Sequence, residues 1–117
     1  MLLKPTLESV VPLTAVSLPH DYVQLRFGDV VLTLNSRLRL VAGDGILVQA
    51  SEGFAAALNG LIGQRVVSTE YLPEQSLSLT FSGGCVLAAS LRAEDTVGPE
   101  AFTLMGPGLP LLVEQVA

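Results

Sequence analysis

The chain has 117 residues, half of them hydrophobic and 15% charged, with 11 Asp and Glu against 6 Lys and Arg for a net charge of −5. That size suits one domain whose core needs neither disulfide nor metal, and a single cysteine, Cys85, excludes an intrachain disulfide. An acidic chain lacks the basic footprint that nucleic acid or an anionic membrane demands, and no apolar run reaches the ~18 residues of a membrane span.

The N-terminal "MLLKPTLESVVP" has no uninterrupted apolar stretch of signal-peptide kind, so the expectation is a cytoplasmic protein. The segment "LPHDYVQLRFGDVVLTL" follows, and it holds the only histidine, His20. Val23, Leu25 and Phe27 alternate with Tyr22, Gln24 and Arg26, the period of a strand with one buried and one polar face. Gly28-Asp29 then supplies a turn before "VVLTL" resumes, which makes a hairpin. "RLRLVAGDGILVQ" reads as two short strands around Gly43-Asp44-Gly45. A helix is expected over 52–60, with Ser51 as its N-cap, Glu52 at the positive end of its dipole and Asn59-Gly60 closing it. Phe54 and Leu58, at i and i+4, would cover one face of the sheet.

Beyond the helix the first pattern recurs. Leu77, Leu79 and Phe81 alternate with Ser76, Ser78 and Thr80, "SGG" turns the chain, and "CVLAASL" returns. Phe27 and Phe81 lie 54 positions apart, and the "LP" of 18–19 meets the "LP" of 72–73 at the same offset. Upstream, "VVPLTAVSLP" lies against "QRVVSTEYLP". The expectation is an internal pseudo-repeat of about 10–42 and 64–92 joined by the short helix near 52–60, followed by the polar "RAEDTVGPE" and a closing hairpin over 101–116. The fold class is mainly β: a duplicated antiparallel meander of about nine strands, as a sandwich or partly open barrel with one short helix.

Half the residues being hydrophobic is a surplus for a small domain. Exposed apolar patches mark partner surfaces, and a two-fold dimer is the commonest assembly, so a homodimer is expected.

Chemistry is sparse. The glycine turns lack the lysine and the strand–loop–helix setting of a phosphate-binding loop. One His and one Cys cannot supply the four ligands of a structural zinc site. A Cys–His nucleophile needs an activated thiolate and an orienting third group, whereas Cys85 opens an apolar strand as a small hydrophobe and His20 stands at a turn. Glu94 and Asp95 are adjacent and read as a solvated loop, and Glu70 and Glu74 flank "YLP" at a strand end. No catalytic, metal or cofactor residue is expected, and the chain reads as a non-enzyme. The polar pair of most interest is Arg37 and Arg39, which project from one face of a strand. They form a doubled positive site that takes a carboxylate or phosphate, or pairs with Asp44, Glu52 or another acid. Arg37, Arg39, Asp44 and Glu52 are the expected recognition surface.

The run from Leu25 to Gly108 resembles a group of small bacterial β-rich proteins. The resemblance rests on Leu25–Phe27, "NSRLRL", Ser51-Glu52, Leu61-Ile62-Gly63, Leu77–Gly84 and Glu100–Leu104. Leu38 and Phe102 depart from it, standing where tryptophan is common in the group. The resemblance implies a duplicated β-rich fold without catalytic residues, and for some members an immunity-type role in which the protein binds and blocks a toxin. Function is therefore expected to be protein binding, immunity-like or as an adaptor. The alternative is a carrier that encloses a small apolar ligand in a β-barrel.

Overall fold

The computed structural model describes residues 7–8, 11–18, 22–43, 45–49, 52–95, 100–106 and 112–115. Strands β1 (Ala15–Ser17), β2 (Val23–Phe27) and β3 (Val30–Leu34) form a meander. A hairpin of β4 (Leu38–Ala42) and β5 (Gly45–Val48) follows, then helix α1 (Phe54–Asn59). A second meander contains β6 (Val66–Leu72), β7 (Ser76–Phe81) and β8 (Val86–Ser90). A 3-10 turn at Ala93–Asp95 leads to the hairpin of β9 (Glu100–Met105) and β10 (Leu112–Gln115).

These strands build two five-stranded antiparallel sheets, not a closed barrel, in the orders β1-β2-β3-β9-β10 and β5-β4-β8-β7-β6. The mainly β class is therefore what the chain adopts, with the short helix α1 among the described residues. Strand alternation explains both sheets. Val23, Leu25 and Phe27 point inward with Leu32 and Leu34, while Leu77, Leu79 and Phe81 point inward with Leu87 and Ala89. All belong to one buried cluster that also takes in Leu38, Leu40, Phe102 and Leu104. Each such leucine or phenylalanine is worth about 1.5–3 kcal/mol relative to an exposed one.

The connection between the meanders is less local than the repeat suggests. Neither meander is flanked by the hairpin that follows it in the chain. Strand β9 lies beside β3, with Leu32 opposite Leu104 and Leu34 opposite Phe102. Strand β4 lies beside β8, with Leu87 opposite Leu40 and Ala89 opposite Leu38. Each half of the chain thus sends its last hairpin into the sheet of the other half. The two crossings run side by side, since Asn35 N–H donates to the Ala101 carbonyl at 2.8 Å and Arg37 N–H to the Asp95 carbonyl at 2.8 Å.

An offset of 54 residues carries β2 onto β7, and one extra residue in the second turn makes it 55 from β3 to β8, so Val23 opposite Leu34 becomes Leu77 opposite Ala89. Upstream the expected alignment shifts by one. Val16 faces Leu25 and Thr69 faces Leu79, so Val16 corresponds to Thr69 rather than to Glu70. The connection from Thr69 to Leu77 is one residue longer than that from Val16 to Val23, which absorbs the difference.

The helix is shorter than 52–60. It starts at Phe54 behind Gly53, whose left-handed φ of 90° breaks the helical path, and no side chain caps it. Ser51, the expected cap, lies outside the described residues. Phe54 and Leu58 are buried in the core as their spacing implied. The strands number ten among the described residues, one beyond the expected count.

Candidate functional site

The outward residues of the second sheet alternate with its core leucines and form three rows across the strands. The middle row runs Val48, Arg39, Ala88, Ser78 and Glu70 over β5, β4, β8, β7 and β6. At the end of this face where the chain crosses between sheets, a depression of about 340 Å³ opens. Arg37, Arg39 and Arg92 surround it, with Val48 and Ala88 in its apolar wall and Asp95 at its margin. These are three of the six cationic side chains of an acidic protein.

The backbone fixes this cluster. Ser90 N–H donates to the Arg37 carbonyl at 3.0 Å, and Arg37 N–H donates to the Asp95 carbonyl. Ser90 Oγ donates to Asp95 Oδ2 at 2.7 Å and accepts from Arg92 N–H at 3.3 Å. Asp95 Oδ1 stands 3.6 Å from Arg37 Nε, yet the Arg37 side chain is 75% exposed. An ion pair so open to water is worth at most about 1 kcal/mol, so an incoming carboxylate competes for Arg37 at little cost. Arg92 Nε pairs with Glu94 at 3.7 Å, also in water. Arg39 has no ion-pair partner among the described residues. Guanidinium groups held at one rim above an apolar wall suit carboxylates or phosphates carried on an apolar body.

The outer face of the first sheet has its own depression, about 390 Å³, beside Arg26, Val31, Thr33 and Met105. There Asp29 accompanies the one arginine, and Gln24 Nε2 donates to Thr33 Oγ1 at 3.3 Å. Both depressions are on outer faces; between the sheets the inward side chains form the buried cluster.

Of the expected recognition residues, the fold brings Arg37 and Arg39 together. Glu52 stands exposed in the turn before α1 and does not line the depression, so Asp95 rather than Glu52 balances Arg37. Asp44 lies outside the described residues, as does His20. Arg92 and Ser90 carry no local signal of the site, and Asp95, expected in a solvated loop, joins it, because β4 meets β8 across some 50 residues of chain. Cys85 is half-buried against the core. Burial raises its thiol above the ordinary value, partly opposed by a backbone hydrogen bond at Val86. Among the described residues no group of three or more His, Cys, Asp or Glu is placed to hold a metal, and no helix is long and apolar enough to cross a membrane.

No protein-family model matches the chain, and neither a curated protein nor a solved structure matches it.

Proposed function

We propose that the protein is a non-enzymatic protein-binding module, immunity-like or acting as an adaptor, whose recognition surface is the arginine-bearing end of the second sheet. The observation that carries this reading is the gathering of Arg37, Arg39 and Arg92 around one depression of a chain whose net charge is −5. Such a surface selects a partner that presents carboxylates beside an apolar segment, and arginine is enriched at protein interfaces for this reason. The matching registers of the two meanders support an internal duplication as the origin of the chain.

The test is a photo-crosslinking residue placed at Ser76, beside the depression, in cells of the source organism, with Thr33 on the opposite sheet as control. The expected result is a protein other than a second copy of this chain, captured from position 76 and not from position 33. Its affinity for the purified chain then falls at least about tenfold in the R37E/R92E variant, as like charges replace opposite ones. Equal capture from both positions, or unchanged affinity, overturns the reading.

A further inference from the structure

The middle of the same sheet face carries a second relationship, which shares Arg39 with the arginine cluster at its end. Arg39 on β4 and Glu70 on β6 occupy one row, separated by Ala88 and Ser78. Three strand spacings of ~4.8 Å put them about 14 Å apart, too far to pair with each other. Both are exposed, and among the described residues neither takes part in an ion pair. The strip between them consists of Val86, Ala88 and Ser90 from β8 with Ser76, Ser78 and Thr80 from β7. No side chain in that strip is longer than valine, so only small side chains separate two opposite charges.

We infer that this face binds a second copy of the chain. A two-fold axis in the plane of the face, parallel to the strands and midway between β7 and β8, lays β4 of one copy over β6 of the other. Ala88 then meets the partner's Ser78, and Arg39 meets the partner's Glu70. The operator repeats the contact, so two identical ion pairs flank a strip of small residues, as an isologous interface requires. An axis over β4 would instead set Arg39 against the partner's Arg39, and one over β6 would oppose the two glutamates. Of the axes parallel to the strands, only the one midway between β7 and β8 sets Arg39 against Glu70. Face-to-face sheets pack about 10 Å apart, a gap that an extended arginine and a glutamate close together. Leu72, 42% exposed at the end of β6, shares a row with Ser76, Ser90 and Arg37, so it comes over the partner's Arg37 and loses water.

The experiment is sedimentation equilibrium of the full chain across a wide concentration series. The expected mass rises from 12.3 kDa toward twice that value. R39E and E70R each set like charges in opposition at both contacts, and each weakens self-association by about tenfold or more. An equimolar mixture of the R39E and E70R chains restores both pairs and forms a heterodimer about as tight as the native dimer. That rescue also shows that both variants are folded. A mass of 12.3 kDa at every concentration, native self-association in either single variant, or a mixture no tighter than its components overturns the inference. A monomer that still loses its crosslinked partner in R37E/R92E removes the dimer and leaves the binding-module reading standing.

Discussion

Tyr71 on β6 and Phe102 on β9 meet edge to face across the two sheets, their ring centroids 5.8 Å apart at an interplanar angle of 87°. Phe102 is 1% exposed and pairs with Leu34 in the first sheet, so the ring is held from both sides. Phe102→Ala is expected to cost about 3–5 kcal/mol by leaving a cavity. A double-mutant cycle of Tyr71→Leu and Phe102→Leu should give a coupling of roughly 0.5–1.5 kcal/mol. Chemical denaturation measures both, and a coupling near zero would show that the rings pack independently.

The exchanged hairpins make the sheets interdependent. Each half of the chain alone would leave two strands without their sheet, and Leu40 or Leu104, both fully buried, without the partner that the other half supplies, Leu87 or Leu32. A protease site inserted after Gln49 allows the connection to be cut in the folded protein. The fragments should co-elute on gel filtration and separate only in denaturant, each alone losing its β-sheet circular dichroism. Fragments that part in native buffer and keep their spectra would contradict the exchange.

The turn between β6 and β7 offers a stabilising change. Gln75 N–H donates to the Leu72 carbonyl at 2.9 Å, closing a four-residue turn through Pro73 and Glu74. Glu74 has φ of 65° and is the one non-glycine residue with positive φ among those described. Proline followed by a left-handed residue is type II turn geometry, which favours glycine at the second position. The left-handed conformation costs roughly 1–2 kcal/mol for a residue with a Cβ, against a smaller entropic cost of glycine in the unfolded chain. Glu74→Gly should therefore stabilise by about 0.5–1 kcal/mol, read as a higher denaturation midpoint at unchanged slope. A lower midpoint would refute the turn assignment.

Cys85 gives the expected pH dependence its sign. Burial raises the folded thiol above its unfolded value, so the folded state holds the proton more tightly. Its contribution is fully present below the ordinary thiol range and is lost as pH rises through the folded value. The thiol is only half-buried, which keeps the slope shallow. Cys85→Ala should remove that alkaline loss, so the stability difference between native and variant chains changes with pH above the thiol range. A difference constant with pH would contradict the assigned direction.

Much of the fold was legible because strands write their burial locally. "VQLRF" and "SLSLTF" show period two, and their inward residues are those the alternation names. The Gly43–Gly45 hairpin and the Phe54/Leu58 pair were equally readable. Sheet partnership was not. Nothing near Leu40 tells that it faces Leu87, or near Leu32 that it faces Leu104, since that choice is made by contacts between distant segments. The site inherits the same division. Arg37 and Arg39 share a face because they are two apart on one strand. Arg92 and Asp95 join them only through the β4–β8 pairing, and the adjacent Glu94-Asp95 read as solvated loop for want of that information. The helix start differs for another reason: the left-handed Gly53 begins the helix later than propensity alone suggests.

The central structural claim is that a second copy of the chain meets the outer face of the second sheet. The most direct measurement is solvent paramagnetic relaxation of backbone amides in the full-length chain, dilute and then concentrated. Amides of Ala88, Ser78 and Arg39 should become protected as concentration rises, while those of Val31 and Thr33 on the first sheet's outer face stay accessible. Protection confined to Val31 and Thr33, or no change on either face, would contradict it.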